Sequence, residues 1–348
     1  MYILIAILLF CFLIFIHELG HFITAKLTGV KVNEFALFMG PAIFKFRRGE
    51  TTYRLNCLPI GGYCAMEGED GENDDPRAFV NAKVWKRLII LCAGSFMNFL
   101  AGFLMVLLLL AFTAEIIPQK TISYIEPNSD FIAAGIQEGD EFYKIDGRRV
   151  YTSGDISMLI DRNTSGVFDF TVIRDGKKLK FEEVSLERKD FGDGTPRLGV
   201  KFADYEEANI FNEFGYAWDN CRDYARLVWM GLGDLISGNA DMKDVGGPVK
   251  IVEVVNEAGN EAETKRDGVM IVFNFFAFIA VNLAVMNMLP IPALDGGRVF
   301  TLLVTWCIET IIRRKINPRV ESYIHAVGMI LLLAFMAFIT FKDIWSLF

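Results

Sequence analysis

Long uninterrupted runs of apolar residues dominate the chain. Four of them approach the length of about 20 residues that a helix needs to cross a bilayer. Pro290 and Pro292 interrupt the third run, so its helix must break near its end. A shorter apolar piece, residues 299–308, is either the continuation of that helix or an interfacial helix. The four predicted spans are residues 2–25, 88–114, 268–294 and 323–341.

The segment between the first two spans has a different pattern. Apolar positions alternate with polar ones over residues 30–55, and Gly40-Pro41 and residues 48–50 carry turn signals. This pattern predicts β-hairpins with one apolar face, ended by residues 59–63. Two interpretations remain open: a small cytoplasmic sheet with no further role, or a sheet that pairs with an extended substrate near an active site.

Residues 120–203 read as a soluble β-rich domain. Asp146-Gly147 and Asp175-Gly176 are hairpin turns. The predicted strands are residues 121–125, 141–145, 168–174 and 179–186, with a short helix near residues 128–134.

The segment that follows is amphipathic. Apolar residues recur at steps of three and four over residues 205–240, which predicts a helix on the outer membrane surface or against the preceding domain. Residues 239–245 are polar and expected to be flexible. Gly246-Gly247-Pro248 predicts a turn, and the charged residues 257–267 lead into the third span.

Composition agrees with a membrane protein that carries one soluble domain. Of the 348 residues, 53% are hydrophobic, which is high for an ordinary soluble protein. The net charge is −8 and no basic stripe occurs, so we expect no nucleic-acid partner. The six cysteines form no C-x-x-C pair and read as small apolar residues, which excludes a disulfide framework or a zinc knuckle.

The distribution of Lys and Arg predicts the orientation of the spans. Short loops rich in these residues stay on the cytoplasmic side. Residues 26–87 are rich in them, and so is the loop before the fourth span, with Arg313, Arg314, Lys315 and Arg319. Both loops are therefore expected in the cytoplasm, and the two termini and the β-rich domain outside it.

The first span ends in the motif H-E-x-x-H. His17 and His21 are two of the three histidines in the chain, and positions i and i+4 share one face of a helix. Two imidazoles on one face can bind zinc, with Glu18 as a general base. Ionisable groups in an apolar segment are costly and favour a functional interpretation over a plain anchor or signal peptide.

Other polar residues fall inside the spans. Asp295, after the third span, is the candidate third zinc ligand, because a catalytic zinc takes three protein ligands. A role as helix N-cap is compatible with this. His325 is expected at the membrane interface and not on the metal. In the second span, Gly94 and Asn98 form G-x-x-x-N, which indicates either helix packing or an asparagine facing the active site.

These motifs in this order resemble the site-2 protease family of intramembrane zinc metalloproteases, and more narrowly its bacterial regulators of sigma-factor signalling. The residues that carry the resemblance are H-E-L-G-H in the first span, G-x-x-x-N in the second, and N-x-x-P-x-x-x-x-D-G beginning at Asn287. Residues 126–129, 134–140 and 145–150 resemble a PDZ domain. Better-known relatives carry two PDZ domains, whereas this chain has one.

The resemblance implies one Zn²⁺ per chain, bound by His17, His21 and Asp295, with Glu18 as the catalytic base. It makes Asn98 and Asn287 candidates for substrate binding. The implied activity is cleavage of single-span membrane proteins within the bilayer, for example an anti-sigma factor or a remnant signal peptide. Two alternatives remain: a zinc peptidase acting on soluble or lipid-modified peptides, and a non-enzymatic PDZ scaffold.

The expected fold is a polytopic α-helical membrane protein of four transmembrane helices, with a membrane-associated β-sheet and an inserted extracytoplasmic PDZ domain. The protein is expected in the cell membrane, with its active site near the cytoplasmic side. The predicted segments are 1–28 (span one), 29–66 (β-hairpins), 67–87 (acidic loop), 88–117 (span two), 120–203 (PDZ), 204–267 (amphipathic helix and linker), 268–312 (span three and following helix), 313–322 (basic loop) and 323–345 (span four).

Overall fold

The structure is a computed structural model that describes residues 1–69, 71, 73–113, 116–191, 196–202, 205–238, 248–262, 264–313 and 318–345. The predicted flexible segment 239–245, the Gly246-Gly247 pair and the basic residues Arg314 and Lys315 lie outside the described residues. The chain divides into two compact units. The first comprises Met1–Met105 and Leu227–Phe348, and the second Val106–Arg226.

Helices dominate the first unit and short strands the second. Up to residue 145 the elements are α1 (Tyr2–Thr28), β1 (Val32–Arg48), β2 (Thr51–Met66), a 3₁₀ turn (Phe79–Asn81), α2 (Val84–Thr113), β3 (Ile116–Pro118), β4 (Ile122–Ile125), α3 (Asp130–Ala133) and β5 (Glu141–Ile145). The remaining elements are β6 (Arg148–Arg149), α4 (Ser153–Arg162), β7 (Val167–Arg174), β8 (Lys177–Ser185), β9 (Lys189–Asp190), β10 (Pro196–Arg197), β11 (Val200–Phe202), β12 (Tyr205–Glu207), α5 (Ile210–Ser237), α6 (Pro248–Glu261), α7 (Lys265–Asn287), α8 (Asp295–Ile312) and α9 (Pro318–Trp345).

Four helices in the described part of the chain are long and apolar enough to cross a membrane. They are α1, α2, α7 and α9, with apolar stretches at Tyr2–Thr28, Val84–Phe112, Lys265–Asn287 and Tyr323–Lys342. Each of the four predicted spans therefore corresponds to a candidate membrane-spanning helix, which is consistent with a polytopic helical membrane protein. The boundaries shift by a few residues: α2 begins at Val84, ahead of the predicted position 88, and ends at Thr113.

The ends of α1 and α7 follow local chemistry. Gly29 takes φ 86°, the left-handed conformation that closes α1, and its N–H caps the carbonyls of Ala25 and Lys26. Helix α7 ends at Asn287 because the prolines that follow cannot continue it. The apolar piece after the third span is a separate helix, α8, and not a continuation of α7.

The predicted hairpins form a sheet that extends further than the sequence indicated. The Pro59–Tyr63 region does not end it, because β2 runs on to Met66. Residues 34–37 of β1 lie between residues 52–55 and residues 62–65 of β2, while residues 42–48 pair with residues 51–56. Among the described residues, this pairing places 62–66 at one edge of the sheet.

Helix α1 holds this sheet through an apolar cluster. Phe15, Leu19 and Phe22 of α1 pack against buried Phe35 and Cys64 of the sheet. The i, i+4, i+7 spacing puts these three side chains on one helical face. The sheet therefore lies along the segment of α1 that carries the H-E-x-x-H motif.

The second unit contains the β-rich region. The strand order β6-β5-β7-β8 forms its larger sheet, and β11 pairs with β4. Its core is aromatic: Phe131, Phe142 and Phe170 are buried and make mutual edge-to-face or tilted contacts. The predicted hairpin turns occur, with Asp146 and Asp175 at positive φ before their glycines.

Two helices, one in each unit, differ from the sequence expectations. Helix α4 was not predicted, although Thr152 and Asp155 form a capping box at its start. The predicted amphipathic helix is confirmed as α5. The segment beyond it forms a further helix, α6, opened by Pro248 at the position where only a turn was expected.

A buried ionic group joins α4 to α5. Arg226 of α5 donates hydrogen bonds to Asp155, to Asp223 and to the carbonyl of Arg149. Burial, together with the hydrogen bond and negative charge of Asp155, raises the pKa of Asp223 from 3.8 to about 8, against the opposing effect of Arg226. The fold therefore favours the protonated form of the Asp223 carboxyl near neutral pH.

This protonation predicts a loss of stability as the pH rises. The unfolded chain loses the Asp223 proton near pH 4 and the folded chain near pH 8, so the free energy of unfolding falls between these values. Hydrogen exchange of the full-length protein should show lower protection factors for the α4 amides at pH 9 than at pH 6. Asp223→Asn should remove this difference and Asp219→Asn, on the same helix, should keep it. An undiminished difference in Asp223→Asn would contradict the assignment.

Candidate metal centre

Helix α1 brings His17 and His21 together, and the start of α8 adds Asp295. His17 Nε2 lies 3.2 Å from His21 Nε2. Asp295 Oδ2 lies 3.2 Å from His17 Nε2 and 3.3 Å from His21 Nε2. Within the part of the chain that the structure describes, these are the side chains grouped so that one metal ion could bind them.

The triangle fits zinc in size and in chemistry. Ligand atoms about 2.0–2.1 Å from a tetrahedral zinc are separated from one another by about 3.3 Å. Asp295 Oδ2 is buried and accepts no hydrogen bond among the described residues. A buried carboxylate oxygen beside two ring nitrogens needs a positive partner, and a divalent cation at the centre of the triangle supplies it.

Helix α2 lies directly behind the two histidines. His21 Nδ1 lies 2.8 Å from the carbonyl of Ile90, so Nδ1–H donates there and leaves the Nε2 lone pair for a metal. Gly94 allows the approach. A Cβ at this position would lie 2.4 Å from His21 Nε2 and 2.6 Å from His17 Cε1.

The two asparagines singled out from the sequence lie beside His17. Asn98 Nδ2 is 3.3 Å from His17 Nδ1, and Asn287 Nδ2 is 3.5 Å from the same atom. Asn98 is only 1% exposed, whereas Asn287 is partly exposed at the last turn of α7. The G-x-x-x-N motif therefore faces the candidate site, in agreement with the second of its two interpretations.

Glu18 lies between the histidines in sequence and against the sheet in space. The charges of His17, His21 and Asp295 all act on its carboxyl group. At Gly62 a Cβ would come within 3.0 Å of Glu18 Cγ, so the first residue of the edge segment 62–66 lies directly beside this side chain. In the sequence, Gly61 and Gly62 were assigned to the end of the hairpins, and the contact of Gly62 with Glu18 was missed.

The turn before α8 holds Asp295 in place. Asp295 is the first helical residue and Leu294 is the N-cap, without a side-chain bond, so the expected N-cap role of Asp295 is wrong. Gly297 permits tight packing, since a Cβ there would lie 2.2 Å from the Ile291 carbonyl oxygen. Ala293 takes φ 87°, a conformation that only surrounding contacts maintain.

The third histidine supports this turn from α9. His325 is buried, and its Nδ1 accepts a hydrogen bond from the N–H of Ala293 at 3.4 Å. Its Nε2 lies 3.1 Å from Thr301 Oγ1 on α8. His325 thus supports the turn that carries Asp295. It is not part of the metal-binding group, in agreement with the sequence expectation.

A further contact ties the acidic loop to the same helix. Glu69 forms an ion pair with Arg298, one turn beyond Asp295. Glu69 also accepts a hydrogen bond from the N–H of Met66, at the end of the edge segment. The sequence offered no signal for this pair, because the two residues are far apart in the chain.

Comparison with known proteins agrees with this centre. Residues 5–335 match the family described as "Peptidase family M50". The chain is 36% identical over 346 residues to "Putative zinc metalloprotease CPE1693" of Clostridium perfringens, covering 99% of this chain and 98% of that protein. It is 37% identical over 342 residues to "Putative zinc metalloprotease CA_C1796" of Clostridium acetobutylicum, covering 98% and 97%.

A more distant relative carries a regulatory name. The chain is 25% identical over 425 aligned positions to "Regulator of sigma-W protease RasP" of Bacillus subtilis, with 98% of both chains covered. These relatives are named as proteases, which excludes the scaffold interpretation. The match across nearly the whole sequence, together with the H-E-x-x-H helix, shows that this chain belongs to peptidase family M50, the site-2 protease family of zinc metalloproteases.

Proposed function

We propose that this protein cleaves single-span membrane proteins within their transmembrane segments, with one zinc ion held by His17, His21 and Asp295. The observation that carries the proposal is the triangle of ligand atoms, with sides of 3.2, 3.2 and 3.3 Å, inside a unit built of membrane-spanning helices. A site embedded among such helices has membrane segments as its nearest substrates. Anti-sigma factors and remnant signal peptides are both of this class.

The proposed mechanism assigns proton transfer to Glu18. Zinc at this place supplies the Lewis acidity that assists the attack of water on a peptide carbonyl. Glu18 takes the proton from the attacking water and returns it to the nitrogen of the leaving amine. Partly exposed Asn287, 3.5 Å from His17 Nδ1, is placed to contact the substrate backbone.

The sheet edge supplies a way to hold the substrate. A helical segment hides its carbonyl groups in internal hydrogen bonds and must unwind before it can be cut. The segment 62–66 pairs with β1 on one side only, with Gly62 beside Glu18, and an unwound substrate can add to this edge as a strand. This favours the second interpretation of the hairpins.

We also propose that residues 120–203 form a PDZ domain on the extracytoplasmic side. Support comes from the pairing of β11 with β4, the four-stranded sheet β6-β5-β7-β8 and the helices α3 and α4. The many Lys and Arg residues in the loop 26–87 favour a cytoplasmic position for that loop, and therefore the opposite side of the membrane for residues 120–203. The metal centre would then lie near the cytoplasmic face.

The test is cleavage of a purified single-span protein whose outer domain has been removed. The full-length enzyme in detergent should cut within the span, with the position read by mass spectrometry. A zinc chelator should abolish the cut, and Asp295→Ala should abolish it as well. Glu257→Ala, which removes an exposed carboxylate of α6, is the matched control and should cut as the wild type does.

The outcomes separate the alternatives. Cleavage of a soluble or lipid-modified peptide, with the single-span protein left intact, would favour the other class of zinc peptidase. Full activity of Asp295→Ala would refute the proposed ligand set.

A further inference from the structure

One face of α2 is directed at both histidines. Ile90, Gly94 and Asn98 follow one another at intervals of four, so they form a single stripe on the helix. The Ile90 carbonyl accepts from His21 Nδ1, and Gly94 has no side chain to separate that carbonyl from the ring. The stripe therefore already orients one of the two imidazoles, which raises the question of what orients the other.

His17 needs an acceptor at its second ring nitrogen. Its Nε2 is one corner of the triangle, and a metal binds there only through the lone pair. The proton must then sit on Nδ1, where it requires a hydrogen-bond acceptor. The nearest polar side chains are the amides of Asn98, at 3.3 Å, and Asn287, at 3.5 Å.

Asn98 carries an acceptor without a partner. Its Oδ1 is buried and has no hydrogen bond within the part of the chain that the structure describes. A half-turn of the amide exchanges oxygen and nitrogen, which puts this oxygen beside His17 Nδ1. The rotation thus pairs the buried oxygen of Asn98 with the ring N–H of His17, two groups that are each costly to leave without a hydrogen bond.

We propose that Asn98 is a positioning residue for His17: it accepts a hydrogen bond from Nδ1–H and so directs the Nε2 lone pair at the metal. The inference rests on the ligand set of the proposed function. It makes the G-x-x-x-N motif the orienting element of the metal centre. Helix α2 fixes His21 through the backbone carbonyl of Ile90 and His17 through the side chain of Asn98.

This assignment separates the two asparagines. The single Nδ1 proton needs one acceptor, and Asn98 is nearer, almost fully buried and otherwise unpaired. Burial also removes Asn98 from contact with a substrate. Asn287, partly exposed at the end of α7, keeps the substrate-facing role.

The test is the zinc affinity of the full-length protein in detergent, measured by competition with a chromophoric chelator. Asn98→Leu should weaken zinc binding about 10- to 100-fold, the usual effect of losing a hydrogen-bond partner of a metal ligand. Asn98→Asp keeps an oxygen acceptor and should bind zinc as the wild type does. Asn287→Leu is the matched control at the same nitrogen and should leave zinc affinity unchanged.

Several outcomes would overturn the inference. Wild-type affinity in Asn98→Leu, or a loss in Asn98→Asp equal to that in Asn98→Leu, would show that the oxygen acceptor does not matter. A loss confined to Asn287→Leu would move the role to that residue. His17→Ala distinguishes a failure of the ligand set from a failure of the role of Asn98. If this variant binds zinc normally, the ligand set is wrong. If it loses zinc while Asn98→Leu does not, only the role of Asn98 fails.

Discussion

Glu18→Gln should abolish proteolysis and leave zinc bound. Glutamine has nearly the same shape but cannot take a proton from water, and removal of a general base costs about 10²- to 10⁴-fold in rate. The metal ligands are other side chains, so metal content should stay at the wild-type level. Single-turnover cleavage of a single-span substrate, with zinc measured on the same sample, checks both statements.

The packing around Glu18 allows this substitution without a change of shape. Gly62 of the edge segment leaves room for the Glu18 side chain, and glutamine occupies the same space. A matched control is Glu67→Gln, a carboxylate of the acidic loop that pairs with Lys31 and is not among the candidate metal ligands. That variant should cut as the wild type does. Retained activity in Glu18→Gln would assign the proton transfer to another group, and lost zinc would mean that Glu18 helps to hold the metal.

Gly94→Ala should destroy the zinc site through one added methyl group. The new Cβ would lie 2.4 Å from His21 Nε2 and 2.6 Å from His17 Cε1, distances that no packed structure accepts. Either α2 must move away, which breaks the bond from His21 to the Ile90 carbonyl, or the imidazoles must turn off the metal. We expect zinc affinity to fall at least about 100-fold, the upper end of the effect of losing one orienting bond.

The control for Gly94→Ala is a glycine of the same helix at which an added Cβ would also collide with a neighbouring residue, although less severely. At Gly102 a Cβ would lie 2.9 Å from the carbonyl oxygen of Ala277 on α7, away from the candidate ligands. Gly102→Ala should reduce thermal stability and still bind one zinc per folded chain. Equal zinc loss in the two variants would attribute the effect of Gly94→Ala to general helix packing.

The candidate ligands differ in how directly they can be predicted from the sequence. His17 and His21 share a face because a helix repeats every 3.6 residues, so their pairing follows from local geometry alone. Asp295 lies more than 250 residues further along, and its selection needed the expectation that zinc takes a third protein ligand. The position of Asp295 depends on the turn before α8. This turn is held by His325 and by the close packing of Gly296 and Gly297.

Long-range packing accounts for the features that the sequence missed. The contact of Gly62 with Glu18 depends on the register between β1 and β2, which shifts at several points and follows no simple alternation. Helix α6 was overlooked because its charged residues suggested a linker, although Tyr2 of α1 packs against its Gly259. The ion pair between Glu69 and Arg298 joins segments that only the fold brings together.

The sequence by itself determined the membrane character, the four spans, the hairpin region and the family, because each depends on residue type and short spacing. Only the tertiary structure decided which groups orient the metal ligands. The stripe of Ile90, Gly94 and Asn98 acts across a helix–helix contact, and the distances of 2.8 and 3.3 Å to the histidines arise from packing. Hydrogen bonds form over a few ångströms between atoms that are distant in the chain, so local patterns cannot specify them.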